Sequence, residues 1–144
     1  FYEIYLFIKQ IIMNSIKDIL RNSSLRPTKQ RIMIGKLLFN DIDKHVTAES
    51  LYRELKASEQ KISLATVYNT LHDFCEKKLL KKVTIDTEKV YFDTNTSPHH
   101  HFYSDNEKLL IDISKDKIKI QGLPKAPKGK KIKDVELIAH LTDS

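Results

Sequence analysis

The chain has 144 residues, of which 40% are hydrophobic and 31% are charged, so it can bury a core in one or two small domains and is neither disordered nor membrane-spanning. Its formal net charge is +6. Residues 14–82 hold 14 Lys or Arg against 8 Asp or Glu, whereas residues 1–13 and 83–144 are each neutral. An excess of positive charge confined to one segment indicates a domain that binds a polyanion, followed by a domain with another task.

The first thirteen residues are aromatic and rich in isoleucine. Their longest uncharged run, Ile4–Ile8, is far shorter than the roughly 20 apolar residues that span a bilayer. Glu3 stands where a signal peptide has basic residues, and no small-residue cleavage site follows. We expect Met13 to be the natural first residue; the alternative is an additional N-terminal amphipathic helix.

Three helices are predicted next from apolar periodicity and capping residues. The first lies near residues 28–40 after Pro27 and Thr28, and Asn40–Asp43 breaks it. Thr47 caps the second, which runs through Leu55. Ser63 caps the third, which runs to about residue 78 and carries an apolar stripe on one side only.

The strands follow the helices. Two runs rich in β-forming residues, 80–85 and 89–93, flank a turn and predict a hairpin. Three short helices followed by a hairpin, in a basic segment, are typical of a winged helix-turn-helix, which places its last helix in the DNA major groove. Further strands are predicted near residues 100–104, 108–113 and 117–121, then a loop at 122–131 and a last strand or helix at 135–141.

The predicted fold is α+β, with an N-terminal winged helix-turn-helix DNA-binding domain over residues 14–93. A small α/β dimerisation domain with an antiparallel sheet follows over residues 94–144. This second part has too few residues to bury a large core alone, so association through its sheet into a homodimer is expected.

Double-stranded DNA is the polyanion that this arrangement predicts. Lysine and arginine side chains neutralise phosphates, whereas base-edge contacts from the last helix supply sequence preference. Arg26, Lys29 and Arg31 are among the candidates for phosphate contacts. Ala65, Thr66 and Tyr68 suit apolar contact with thymine methyl groups, and Asn69 can pair with adenine. We therefore expect an A/T-rich target, whereas the alternative for the lysines is an ordinary solvated surface.

A cluster of three histidines is the strongest chemical signal. In a strand His99 and His101 project to one face and His100 to the other. Asp93 and Asp112 are close enough in sequence to complete a metal site with them. Nitrogen and carboxylate ligands without thiolate suit Fe(II), Mn(II) or Zn(II) without distinguishing among them. The alternative is a polar loop or an edge strand.

Cys75 is the only cysteine. It therefore excludes an intramolecular disulfide and a cysteine-based zinc cage within one chain, and it fits a reducing cytoplasm. We expect it to be a core residue on the apolar side of the third helix.

The chain resembles the ferric uptake regulator family at Leu25–Arg31, His45–Tyr52 and Ser63–Leu71. Within that family, Asp93–Phe102 and Leu110–Ile113 resemble the iron response regulator branch. The resemblance covers about residues 16–141. It implies a dimeric, metal-sensing winged-helix transcription factor that acts on genes of iron or haem homeostasis.

The resemblance also implies roles for particular residues. The regulatory metal site of the peroxide-sensing branch falls on His45, Asp93, His99, His101 and Asp112. The base-facing set falls on Ser63, Ala65, Thr66, Tyr68 and Asn69. Arg26 is implied to enter a neighbouring minor groove, and Arg31 to clamp the DNA backbone. Because the implied ligands come from both halves of the chain, one bound ion can select a DNA-binding conformation.

The sequence departs from the family pattern in two places. Ser104 and Glu107 stand where the structural zinc site needs a Cys-x-x-Cys pair, so no structural zinc is expected. The family's dimerisation helix is missing or reduced, because residues 123–131 contain two prolines and a glycine. Members of the iron response branch sense haem, some through a Cys-Pro motif that this chain lacks, so a haem would take its axial ligand from His99, His100 or His101.

Two other functions remain open from the sequence. A metal-independent DNA-binding protein with vestigial histidines is one alternative, motivated by the absent cysteine pair and the shortened helix. A small metallohydrolase is the other, but no separate general base or nucleophile motif accompanies the candidate ligands. The sequence therefore favours a regulator over an enzyme.

Overall fold

The computed structural model describes residues 1–144 and divides into two compact units, Phe1–Thr96 and Ser97–Ser144. The first unit contains helices α1 (Tyr2–Asn22), α2 (Lys29–Leu38), α3 (Ala48–Ala57) and α4 (Leu64–Glu76), with strands β1 (His45–Val46), β2 (Lys81–Thr84) and β3 (Val90–Asp93). The second contains β4 (His100–Ser104), β5 (Leu109–Ile113), a 3-10 turn (Lys115–Lys117) and β6 (Ile138–Leu141). The predicted α+β architecture is confirmed.

The first unit is built on capped helices. The hydroxyls of Thr28, Thr47 and Ser63 accept hydrogen bonds from the amides of Arg31, Ser50 and Thr66, each three residues later. Each bond satisfies one of the amides that a helix start leaves without an intrahelical partner. The three predicted helices therefore begin at these capping residues.

Helix α1 precedes them and is the longest element. It begins at Tyr2, so the stretch before Met13 is helical. Ile16 and Leu20 are buried in the core of this unit, whereas most side chains before Met13 are exposed. Gly35 of α2 permits the close approach of α1, because a Cβ there would lie 2.9 Å from the Ile16 side chain.

Two residues after the last residue of three of these helices, the chain has a non-glycine residue in the left-handed region, namely Ser24, Glu59 and Lys78. In each case the following amide donates back to the helix, as Gln60 N–H does to Leu55 O over 3.0 Å. This bond satisfies a terminal carbonyl. The left-handed conformation costs an L-residue roughly 1–2 kcal/mol.

Replacing Glu59 with glycine removes this cost but adds conformational entropy to the unfolded chain. The net effect should be a free energy of unfolding that is higher by about 0.5–1 kcal/mol. Urea denaturation followed by circular dichroism measures this change. Glu54→Gly in the interior of α3 is the matched control and should lower stability by about 1 kcal/mol. Equal destabilisation by both variants would contradict the argument.

Strand β3 is central in the sheet of the first unit. It pairs antiparallel with β2 to form the predicted hairpin and with the two-residue strand β1 on its other side. Val67, Leu71 and Phe74 of α4 are fully buried in the core, together with residues of α1, α2 and α3. Three helices beside a hairpin form the predicted winged helix-turn-helix arrangement.

Strand β4 is central in the second sheet. It pairs antiparallel with β5 and parallel with β6. The strand predicted at 117–121 is wrong, because the chain makes the 3-10 turn and then runs on without a strand. Both edges of β4 are already paired, so residues 117–121 have no place beside it. The loop predicted at 122–131 is irregular, and the last segment is a strand.

Candidate metal centre

His45 and Asp93 form a close pair in the first unit. Strand β1 places His45 directly opposite Asp93, the last residue of β3. His45 Nε2 lies 3.2 Å from Asp93 Oδ2, and the Asp93 side chain is fully buried. Its other oxygen, Oδ1, accepts the amide of Asn95 over 2.9 Å. The carboxylate is thus fixed with one oxygen directed at the imidazole.

His99, His101 and Asp112 form a trio in the second unit. Asp112 of β5 lies opposite His101 of β4 in the antiparallel register. The Nε2 atoms of both histidines lie 3.2 Å from Asp112 Oδ1, and the two ring centroids are 4.5 Å apart. Both imidazoles are almost completely buried, whereas Asp112 is 36% exposed. Three donor atoms therefore converge on one point near the surface.

The other histidine of the cluster has a different role. His100 lies on the opposite face of β4, as strand alternation predicts, and its Nδ1 accepts the amide of Leu137 over 2.9 Å.

The ring of His99 is oriented by a backbone carbonyl, since His99 Nδ1 lies 2.7 Å from Ser97 O. Because a carbonyl can only accept, His99 Nδ1 carries a proton, and Nε2 is the ring nitrogen that faces Asp112.

Glu136 contacts the trio, and sequence analysis missed it. Its Oε1 lies 2.9 Å from His101 Nδ1. In sequence it is 35 residues from His101, in a charged stretch with no distinguishing pattern. Only the pairing of β6 beside β4 brings it there.

The pair and the trio, each within its own unit, consist of donor atoms that suit a divalent ion. Imidazole nitrogens with carboxylate oxygens, and no sulfur, suit Fe(II), Mn(II) or Zn(II). The positions of the missing cysteine pair form a turn, in which Glu107 N–H donates to Ser104 Oγ.

Helix α4 presents the predicted base-facing residues. Ser63, Ala65, Tyr68 and Asn69 are exposed and Thr66 is half-buried. Ser63 Oγ also accepts the Thr66 amide, so it fixes the start of the helix. The Tyr68 ring packs edge-on against Phe92 of β3 with centroids 6.4 Å apart. Tyr68 is 42% exposed and is therefore held by the hairpin while keeping a free face.

The predicted phosphate contacts fall into two groups. Arg26 and Lys29 are exposed. Arg31 is half-buried and donates to Arg26 O and to Asp73 Oδ2, each over 3.0 Å. Asp73 therefore holds the Arg31 guanidinium in place and offsets part of its charge.

Cys75 behaves as a core thiol. It packs against the apolar core of the first unit. Burial raises the pKa of the Cys75 thiol to about 11, with Lys82 acting weakly in the opposite direction. The thiol is therefore protonated and unreactive at neutral pH.

None of the helices combines the length and apolarity needed to cross a bilayer.

Comparison with known proteins identifies relatives. The chain is 35% identical over 92 residues to the ferric uptake regulation protein of Campylobacter upsaliensis, which covers 62% of this chain and 58% of that protein. It is 35% identical over 96 residues to the peroxide operon regulator of Bacillus subtilis, covering 67% and 66% respectively. The chain thus aligns with less than two thirds of the length of either relative.

The fold has a solved counterpart. The ferric uptake regulator of Pseudomonas aeruginosa, determined with manganese, matches with a TM-score of 0.68 and 21% sequence identity, over 89% of this chain and 97% of that one. At that identity the match shows the fold alone. Residues 22–140 match the ferric uptake regulator family, and the chain belongs to this family.

Proposed function

We propose that the protein is a cytoplasmic, metal-responsive transcription regulator that binds double-stranded DNA as a homodimer. The single observation that carries the proposal is the trio of His99, His101 and Asp112. The Nε2 atom of each histidine lies 3.2 Å from Asp112 Oδ1. Family membership and the winged-helix arrangement support a regulator and disfavour the hydrolase alternative.

We propose His45, Asp93, His99, His101 and Asp112 as the regulatory metal ligands. Fe(II) or Mn(II) is the proposed ion, with Zn(II) as a competitor, since this donor set accepts all three. The Pseudomonas counterpart was determined with manganese, and the Bacillus relative is named for a peroxide operon. The manganese of the first agrees with the proposed ion, whereas the name of the second gives no metal.

Because the proposed ligands come from both units, the ion would link them. His45 and Asp93 precede Thr96, and the other three follow it. A shared coordination shell restricts how the units can rotate about their connection, and that restriction favours one conformation of the DNA-binding unit. The ion would supply the positive charge that attracts the ligand atoms, and the chain supplies those ligand atoms in fixed orientations.

The DNA surface of the proposal is helix α4 with the basic residues around it. Ser63, Ala65, Thr66, Tyr68 and Asn69 would face the base edges of an A/T-rich operator. Arg26, Lys29 and Arg31 would contact the backbone or an adjacent minor groove. The exposure of α4 supports the first set, whereas the ion pair with Asp73 makes Arg31 the more restrained of the basic residues.

The resemblance to the iron response branch raises haem as an alternative to a small metal ion. The two relatives are named for ferric uptake and for a peroxide operon. In addition, both ring nitrogens of His101 face carboxylates, and His100 Nδ1 is occupied by Leu137. These contacts favour a small ion over a haem, whose iron needs an imidazole nitrogen with open space before it.

Operator binding with and without metal tests the proposed function. Duplexes selected from a random pool in the presence of Mn(II) provide the probe. We expect binding at least about tenfold tighter with Mn(II) or Fe(II) than with chelator, within the usual 1–3 kcal/mol of allosteric coupling. His99→Ala should remove the difference. Equal wild-type affinity in both conditions would instead support the metal-independent alternative.

A further inference from the structure

Glu136 stands behind one proposed ligand of the second unit. Its Oε1 lies 2.9 Å from Nδ1 of His101, while Nε2 of the same ring faces Asp112 at 3.2 Å. His101 is completely buried and Glu136 is 22% exposed. The imidazole is therefore held between two carboxylates, one on each ring nitrogen.

The backbone holds Glu136 in this position. Its neighbour Leu137 accepts the amide of His101 through its carbonyl over 3.1 Å. The Leu137 amide donates to His100 Nδ1 over 2.9 Å. The next residue, Ile138, is the parallel partner of His101 in β6. The two residues that follow Glu136 are thus attached to β4.

The contact determines which nitrogen of His101 bears the proton. Both neighbours of the ring are carboxylate oxygens, which accept hydrogen bonds, and Glu136 Oε1 at 2.9 Å is nearer than Asp112 Oδ1 at 3.2 Å, so Nδ1 is the better placed donor. With the proton on Nδ1, the lone pair on Nε2 and the Asp112 oxygen are both available to a cation placed between them. His99 is oriented in the same way, but by the neutral carbonyl of Ser97. A carboxylate polarises the ring more strongly than a carbonyl does, which makes Nε2 of His101 the stronger electron donor.

We infer that Glu136 is a positioning residue that fixes the tautomer of His101 and strengthens its bond to the metal without itself binding the ion. The inference rests on the proposed function for the identity of the ion. The tautomer of His101 in the metal-free protein does not depend on the identity of the ion.

Nitrogen NMR of the metal-free full chain at about pH 8 tests the first half. In the wild type we expect the His101 ring to be protonated on Nδ1. In Glu136→Ala the population should shift toward the Nε2–H form, whereas Glu136→Gln should keep the Nδ1–H form, since its amide oxygen still accepts. An unchanged tautomer in Glu136→Ala would overturn the inference.

Titration with Co(II) and Mn(II) tests the second half. Loss of an outer carboxylate typically weakens metal affinity about 10- to 100-fold, and we expect this for Glu136→Gln, with the Co(II) absorption bands unchanged in shape and intensity. Altered bands would mean that Glu136 is itself a ligand and would overturn the positioning role. Glu107→Gln, an exposed acid in the turn after β4, is the matched control and should bind like the wild type.

The outcomes separate the two proposals. If wild-type protein binds neither ion, the proposed function fails, and the tautomer measurement still decides what Glu136 does to His101. If the wild type binds and Glu136→Gln binds equally tightly, the inference fails while the proposed function stands.

Discussion

Replacing His101 with alanine should lower the affinity for Mn(II) at least about 100-fold, or about 2.8 kcal/mol. The side chain is fully buried and directs Nε2 toward Asp112. Its removal deletes a donor atom and also leaves Glu136 without the Nδ1–H that it accepts. The effect should exceed that of losing an outer carboxylate alone. Calorimetric titration of the metal-free protein measures it.

His72→Ala is the control for this measurement. His72 is also an imidazole, but its side chain is 66% exposed on α4 and pairs only with Glu76. It should leave the affinity for Mn(II) unchanged. If His72→Ala and His101→Ala weakened binding equally, the ion would be held by exposed imidazoles in general and not by the trio.

Phe74→Ala should lower the free energy of unfolding by about 3–5 kcal/mol, the range for removing a buried aromatic side chain. Phe74 is fully buried, and its ring packs against that of Phe39 with centroids 5.5 Å apart. A small domain is usually stable by about 5–15 kcal/mol, so this loss is a large share. Urea unfolding followed by far-ultraviolet circular dichroism, in the presence of chelator, measures it.

Tyr68→Ala on the same helix provides the comparison. The Tyr68 ring has one edge-on aromatic contact and is 42% exposed, so its removal should cost only about 1 kcal/mol. Tyr68→Ala should nevertheless weaken operator binding directly. Phe74→Ala should weaken it only by lowering the stability of the fold. A larger loss of stability from Tyr68→Ala would show that the hairpin depends on α4 more than the packing indicates.

The helices of the first unit could be predicted because their signals are local. Thr28, Thr47 and Ser63 each act within their own turn, and no distant residue is needed to define them. Strand β1 could not be predicted in the same way. It has two residues and exists only through its pairing with β3, yet it is what sets His45 opposite Asp93.

The second unit was harder to predict because its signals are non-local. Strand alternation placed His99 and His101 on one face, and the register of the β4–β5 hairpin brings Asp112 to them. Ile118 and Ile120 alternate like a strand, but alternation does not reveal that β4 already has two neighbours. Glu136 depends on the same pairing and had no local signal at all.

The parallel pairing of β6 with β4 has a consequence for folding order. Strands β4 and β5 are joined by a short turn, whereas β6 reaches β4 only after residues 114–137 have crossed over. Closing that longer loop costs more chain entropy, so the hairpin should form first and β6 should dock last. The imidazoles and Asp112 would come together early, and Glu136 would arrive with the final strand. Fraying of β6 would then loosen the hold on a bound ion gradually, without removing any of its ligands.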